Sequence, residues 1–202
     1  MSDGFIIKRG GGGGDSNAAF KALVDKSITE VTTDMLDGVT SIANGVFSSC
    51  TSLNSIEIPN SVTSMGSSVF SYCNNLKSIT IPSSVTSFNP NGTFSGSYIE
   101  NVIFEDGTTN IPTSACRNTP RLKNVIFPST VTSIGDAIFA YCGSSFENLT
   151  IRAASPPTLG DNVFPSEVIN LVIYVPAESV DAYKAAANWS TYADKIQAIP
   201  SD

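Results

Sequence analysis

The sequence contains no histidine. That absence excludes a mixed cysteine and histidine zinc site and removes the usual general base. Charge is scarce as well. Only 14% of residues are charged, and Lys plus Arg number 11 against 18 Asp plus Glu, for a net charge of −7. Nucleic-acid binding needs clustered cations against phosphate, and these cations are scattered along an acidic chain, so that function is not expected. No apolar run reaches the roughly 18 residues of a membrane span. The first residues, MSDGFIIKRGGGGG, lack the long apolar stretch and small-residue cleavage site of a signal peptide. Either the chain is not exported by that route, or a signal lies upstream of Met1. There is no GxSxG, no CxxC and no repeated acidic pair, so no catalytic or cofactor site is expected.

What is abundant is serine, threonine and asparagine, set in a phrase that returns. The stretch Thr63 to Val85 recurs upstream and downstream with small changes. Ile42, Met65, Phe88, Ile111 and Ile134 fall 23 residues apart, as do Leu53, Leu76, Ile99 and Leu122, and Ile58, Ile81, Phe104 and Phe127. A fixed period in the 20 to 29 range with apolar residues at set offsets is the mark of a leucine-rich-type solenoid. One coil cannot bury these side chains alone. Stacked coils align them into columns, each buried side chain contributing roughly 1.5–3 kcal/mol. Within a coil, Leu76, Ile79 and Ile81 carry the pattern LxxIxI, the last two alternate with Thr80, and Pro82 follows, which predicts a strand with one buried face. Stacking then makes a parallel sheet. The return side carries Val85, Met65 and Phe70 inward, with Gly66 at a tight corner and room for no more than a helical turn.

Cys50, Cys73 and Cys142 share one repeat position, and Cys116 takes the place held elsewhere by Phe47, Phe70 and Phe139. They read as small buried packing residues. At a coil spacing of about 4.8 Å a Cys50–Cys73 disulfide also fits by distance. Two irregularities interrupt the frame. Phe94 stands one residue late, after Pro90 and Gly92, which predicts a looped or bulged corner. One inserted residue then shifts Phe146, Leu149 and Ile151 together.

The ends differ from the middle. Residues 1–17 form a Gly-rich leader, with Gly10 to Gly14 as a flexible tether. Residues 18–39 carry Phe20, Leu23, Ile28, Val31 and Met35 out of frame and are expected to be an irregular N-terminal cap. The solenoid proper spans 40–176, its last coil marked by Phe164, Ile173, Val175 and Pro176. In 177–202, Val180, Tyr183 and Ala187 recur at helical spacing behind Glu178 and Asp181, so a C-terminal cap with a short helix is expected, with Trp189, Tyr192 and Ile196 closing the core.

The phrases SVTSMGSSVFSYCNNLKSITIP and TVTSIGDAIFAYC, followed by the terminal YVPAESVDAYKAAANWSTYADKIQAI, resemble the BspA-like leucine-rich repeat family across roughly Thr40 to Ile199. The resemblance implies a right-handed curved solenoid at the bacterial cell surface or secreted. Such proteins bind proteins or cell surfaces, some as adhesins toward extracellular-matrix components. It transfers no catalytic residue and no cofactor.

Strand alternation places Glu57, Thr80, Ile103, Ile126, Thr150 and Tyr174 outward in one row, with apolar Ile103 and Ile126 at its centre. These are the candidate partner-binding residues. The apolar pair reads either as a recognition patch or as a surface covered by a cap, loop or subunit. Lys77, Glu100, Lys123 and Glu147 form a second row of alternating sign that supports register. Two functions follow. One is a non-catalytic, adhesin-like module presenting its sheet to a protein or glycan. The other is a structural or receptor-binding component of a larger extracellular or phage-type assembly, attached through the leader.

Overall fold

A computed structural model describes residues 26–89, 91–165 and 169–201. The expected leader, and Phe20 and Leu23 of the expected cap, lie outside the described residues. The rest is a stack of coils with parallel strands on two sides. The sheet side is a six-stranded parallel sheet of Ser78–Ile81, Asn101–Phe104, Asn124–Phe127, Asn148–Ile151, Val172–Val175 and Ile196–Ala198, in chain order. The register steps by 23 from Ser78 to Asn101 to Asn124 and by 24 from Asn124 to Asn148, so the inserted residue is absorbed before the strand and the ladder continues unbroken. On the return side, two-residue strands make two further parallel sheets. Ser41–Ile42, Ser64–Met65 and Ser87–Phe88 form one; Asn110–Ile111, Ser133–Ile134 and Thr158–Leu159 form the other.

The first five strands of that sheet are four residues long because Leu, Ile, Val and Phe alternate there with tolerant outward residues, and the sixth has three. Between the strand sets, each regular coil turns through two left-handed residues. Gly45, Ser68, Gly92, Ser114 and Ala137 occupy one such corner; Ser49, Tyr72, Gly96, Asn118 and Tyr141 occupy the other. Backbone bonds run from coil to coil even here, as from Phe47 N–H to Val69 O at 3.1 Å and from Cys116 N–H to Ile138 O at 3.2 Å. Gly66 serves another purpose than the expected tight corner. A Cβ there would lie 2.6 Å from Asn44 N, and one on Gly135 would lie 2.5 Å from Thr113 N, so glycine allows two backbones to approach.

The columns are buried as the spacing implies and soften toward both ends: Ile58 at one, in a coil where no four-residue strand forms, and Leu159 and Phe164 at the other are only partly covered. Phe47 stacks on Phe70 at 5.6 Å and Phe70 on Phe94 at 5.8 Å, so the late Phe94 regains the column through the Gly92 corner, where φ is +90°. Cys116 interrupts the aromatic column, which resumes at Phe139 and reaches Phe164 at 5.8 Å. All four cysteines are free and buried. Cys73 Sγ donates to Phe47 O and Cys142 Sγ to Cys116 O, each at 3.0 Å, so these thiols satisfy carbonyls of the preceding coil.

At the C-terminal end a short helix, Val180–Ala185, places Tyr183 in the core. Ala187, expected on the buried face, is exposed. The helix ends two residues earlier, and extended Ala186 packs in its stead. Trp189 and Ile196 are buried and Tyr192 packs on Phe164 at 4.8 Å, but Ile196 does so as the start of the sixth strand.

Candidate recognition surface

The outward side chains of the six-stranded sheet are brought into one line by its ladder. Thr80 pairs with Ile103, Ile103 with Ile126, Ile126 with Thr150, Thr150 with Tyr174, and Tyr174 with Gln197. Five of the six expected residues therefore share a continuous row. Glu57 is exposed but stands outside it: Ser55–Ile56 pairs with Glu30–Val31, and Glu57 N–H donates to Val31 O at 2.8 Å. Gln197 joins the row unforeseen, because the terminal IQA reads as part of a helical segment until the pairing is seen.

Ile103 and Ile126 are half-buried, flanked on the ladder by Thr80, by each other and by Thr150. A smaller apolar surface is left than alternation alone implies. Next to it runs an asparagine ladder. Asn124 Nδ2 donates to Asn101 Oδ1 at 2.7 Å, and Asn148 Nδ2 to Asn124 Oδ1 at 2.8 Å. These amides are largely engaged with one another. Their 23-residue and 24-residue spacing was the available signal.

The row of alternating charge forms in part as ion pairs. Lys123 Nζ donates to Glu100 Oε2 at 2.8 Å, and Lys77 Nζ lies 4.0 Å from Glu100 Oε1. The Lys123 hydrogen bond holds the Glu100 carboxyl below its ordinary range, and the same bond raises Lys123. Beside these pairs are aromatic contacts. Lys77 and Arg121 sit over the Tyr98 ring at 5.1 and 4.7 Å from its centroid, and Arg117 sits over Tyr141 at 5.2 Å. Arg117 therefore faces a ring, and the adjacent Cys116 is fully buried with its thiol pushed well above the ordinary range by burial. An activated nucleophile requires the opposite environment. Among the described residues no cluster of acidic or sulfur side chains has the arrangement of a metal site, and no helix is long and apolar enough to cross a membrane.

A parallel-stranded stack whose register steps by 23 to 25 residues, with inward aliphatic and aromatic columns and an outward row of mixed residues, defines the chain as a leucine-rich-type repeat solenoid. Six copies of the BspA type leucine rich repeat region match residues 16–146, and the chain belongs to that family. Among solved structures it is similar to a leucine-rich repeat protein from Bacteroides ovatus, at 19% identity over 76% of this chain and 56% of that one, with a TM-score of 0.29. It is also similar to a leucine rich cell surface protein from Faecalibacterium prausnitzii, at 17% identity over 74% and 64% with a TM-score of 0.33. A third is the pneumococcal vaccine antigen PcpA, at 12% identity over 84% and 65% with a TM-score of 0.26. The chain spans less than two thirds of the length of each. No curated protein matches it.

Proposed function

We propose that the chain is a non-catalytic, adhesin-like recognition module, secreted or displayed at a cell surface, that binds a protein or glycan of the host matrix through its six-stranded sheet. The observation that carries this reading is the continuous row Thr80, Ile103, Ile126, Thr150, Tyr174 and Gln197. Its residues range over Thr, Ile, Tyr and Gln along the stack, whereas the inward columns behind them stay apolar throughout. Repetition inside fixes the frame, so specificity is written where the coils diverge. Family membership supports a protein-binding role for such a face.

The test is binding of the intact chain to an array of purified extracellular-matrix proteins and glycans, beside the Ile103→Ser, Ile126→Ser double variant. Both positions are half-buried, so the variant is expected to fold and to lose binding by tenfold or more, about 1.4 kcal/mol. Undiminished binding by the folded variant removes the sheet row from the interface. Failure of the native chain to bind any component removes the matrix ligand.

A further inference from the structure

We propose that the solenoid carries a second recognition site, separate from the sheet row: the edge where the coils enter the sheet, which takes an acidic polypeptide segment lying along the stacking axis. The first observation is charge. In a chain of net charge −7, the cations Lys77, Arg117, Arg121 and Lys123 gather on this edge around Tyr98 and Tyr141, and outnumber the carboxylates beside them, Glu100 and Glu147. Glu100 is paired with the two lysines, but among the described residues neither arginine has a carboxylate at ion-pair distance. A local positive strip on an acidic body orients an acidic partner by attraction here and repulsion elsewhere.

The second observation is independent of charge. Tyr72 and Tyr141 hold the same repeat position three coils apart, so by strand spacing they stand roughly 14 Å from each other along the stack. They are 61% and 64% exposed, two of the three large hydrophobic side chains left so among the described residues. Their backbones are left-handed, with φ of 58° and 61°. The same corner is held by Gly96 and Asn118 in the coils between them, residue types for which that conformation is cheap. Ser49 holds this corner too, and Ser68, Ser114 and Ala137 hold the other, so the left-handed backbone is common to the coils; what sets Tyr72 and Tyr141 apart is the exposed ring each presents. Large apolar rings left exposed in line along the stack mark a contact surface.

Tyrosine and arginine together are the side chains that dominate protein interfaces. An arginine stacked on a ring uses only its face, which leaves the edge donors free to fork a carboxylate. The strip already shows the mode of capture: a side-chain carboxylate, that of Glu100, accepts from Lys123 at 2.8 Å with Lys77 at 4.0 Å. Arg117 and Arg121 offer the same to a carboxylate from outside. An extended segment alternating acidic and apolar side chains meets both the cations and the exposed rings.

The experiment measures binding of a labelled glutamate–tyrosine copolymer to the full chain by fluorescence anisotropy, at about 0.05 M and about 0.15 M salt. The expected result is binding that weakens with salt, falls about tenfold or more in Arg117→Ser, Arg121→Ser, and falls several-fold in Tyr72→Asn, Tyr141→Asn. Asparagine tolerates the left-handed corner, so melting of that variant is not lowered. The Ile103→Ser, Ile126→Ser variant binds the copolymer as the native chain does, which separates this site from the sheet row. No binding at low salt, or binding unchanged in the arginine variant, overturns the proposal. So does a heparin oligosaccharide that binds through the arginines where the copolymer does not, since the partner is then an anionic glycan.

Discussion

Along the strands from Ser78 to Phe127 each residue meets its counterpart one coil away, whereas from Ala177 to Lys195 the side chains meet partners that occur once. In the middle, the same offsets supply strand pairing, burial and polar ladders, so one sequence decision is reused in every coil. At the C-terminal end there is no next coil. Tyr183 Oη donates to Ala153 O at 2.9 Å and Trp189 Nε1 to Pro157 O at 2.8 Å, satisfying carbonyls of the Ala153–Pro157 segment, while the Trp189 ring packs on Phe164 and Tyr183. Order arises from repetition in one region and from individually placed aromatic donors in the other. Substitutions in the two regions should therefore fail differently.

The largest effect is expected at the end. Trp189→Ala removes a buried ring and leaves a carbonyl unpaired, and should destabilise the chain by about 3–5 kcal/mol. Because coils interact with nearest neighbours, the loss should start locally. Amide exchange is expected to accelerate first in Val172–Val175 and Ile196–Ala198, with Ser78–Ile81 still protected. Uniform acceleration across both regions would break the contrast. Trp189→Phe keeps most of the ring and loses the donor, so it should lie nearer about 1–3 kcal/mol.

A middle-sized effect belongs to the stack. Gly135→Ala places a methyl carbon 2.5 Å from Thr113 N and 2.9 Å from Ile111 O, both backbone atoms that cannot rotate away. The expected loss is about 1–3 kcal/mol, read as a lower urea midpoint, with exchange accelerating in Asn110–Ile111 and Ser133–Ile134. Gly45→Ala tests the other role of glycine. Its added carbon has room, with the nearest atom at 3.8 Å, but φ is +64°, so about 1 kcal/mol is expected. Equal losses at the two glycines would show that close approach of the coils is not what Gly135 provides.

The same contrast explains what the sequence discloses. The columns of Met65, Leu76, Ile81 and their counterparts are legible because a period imposes the same burial each time, and even the displaced Phe94 and Phe146 can be placed against it. Family membership follows from the same phrases. Ile196–Ala198 is harder, since a strand there depends on the edge offered by Val172–Val175 and not on its own three residues. Alternation gives the direction of Ile103 and Ile126 but not their half-burial, which depends on ladder neighbours. Glu57 shows the limit of the period itself: it has the right offset, yet its coil pairs with Glu30–Val31 and leaves it off the six-stranded sheet. Tyr72 and Tyr141 fit the frame by spacing, but their left-handed backbone belongs to the corner geometry, which no apolar pattern encodes.

The smallest effect near neutral pH is a dependence carried by the thiols of the repeated coils. Burial pushes Cys73 and Cys142 up to about 12 and raises Cys50 and Cys116 as well. In the unfolded chain these thiols titrate near ~8.5. A raised folded value means that the native state keeps protons the unfolded state releases, so this contribution is fully present below ~8.5 and declines as pH rises toward the folded values. Urea stability should be flat from about pH 6 to about pH 8 with respect to these groups and then fall. Tyr183, also raised by burial, adds to the slope only above about 10. Cys142→Ala should flatten the fall between about pH 8.5 and about pH 10, whereas Tyr183→Phe should leave that window alone and act above it. Native chain treated with iodoacetamide at about pH 8.5 should stay unmodified until urea is added. Labelling of Cys73 or Cys142 at the rate of a free thiol would mean that the repeated coils open as readily as the C-terminal end, and the distinction between repeated and singular packing would not hold.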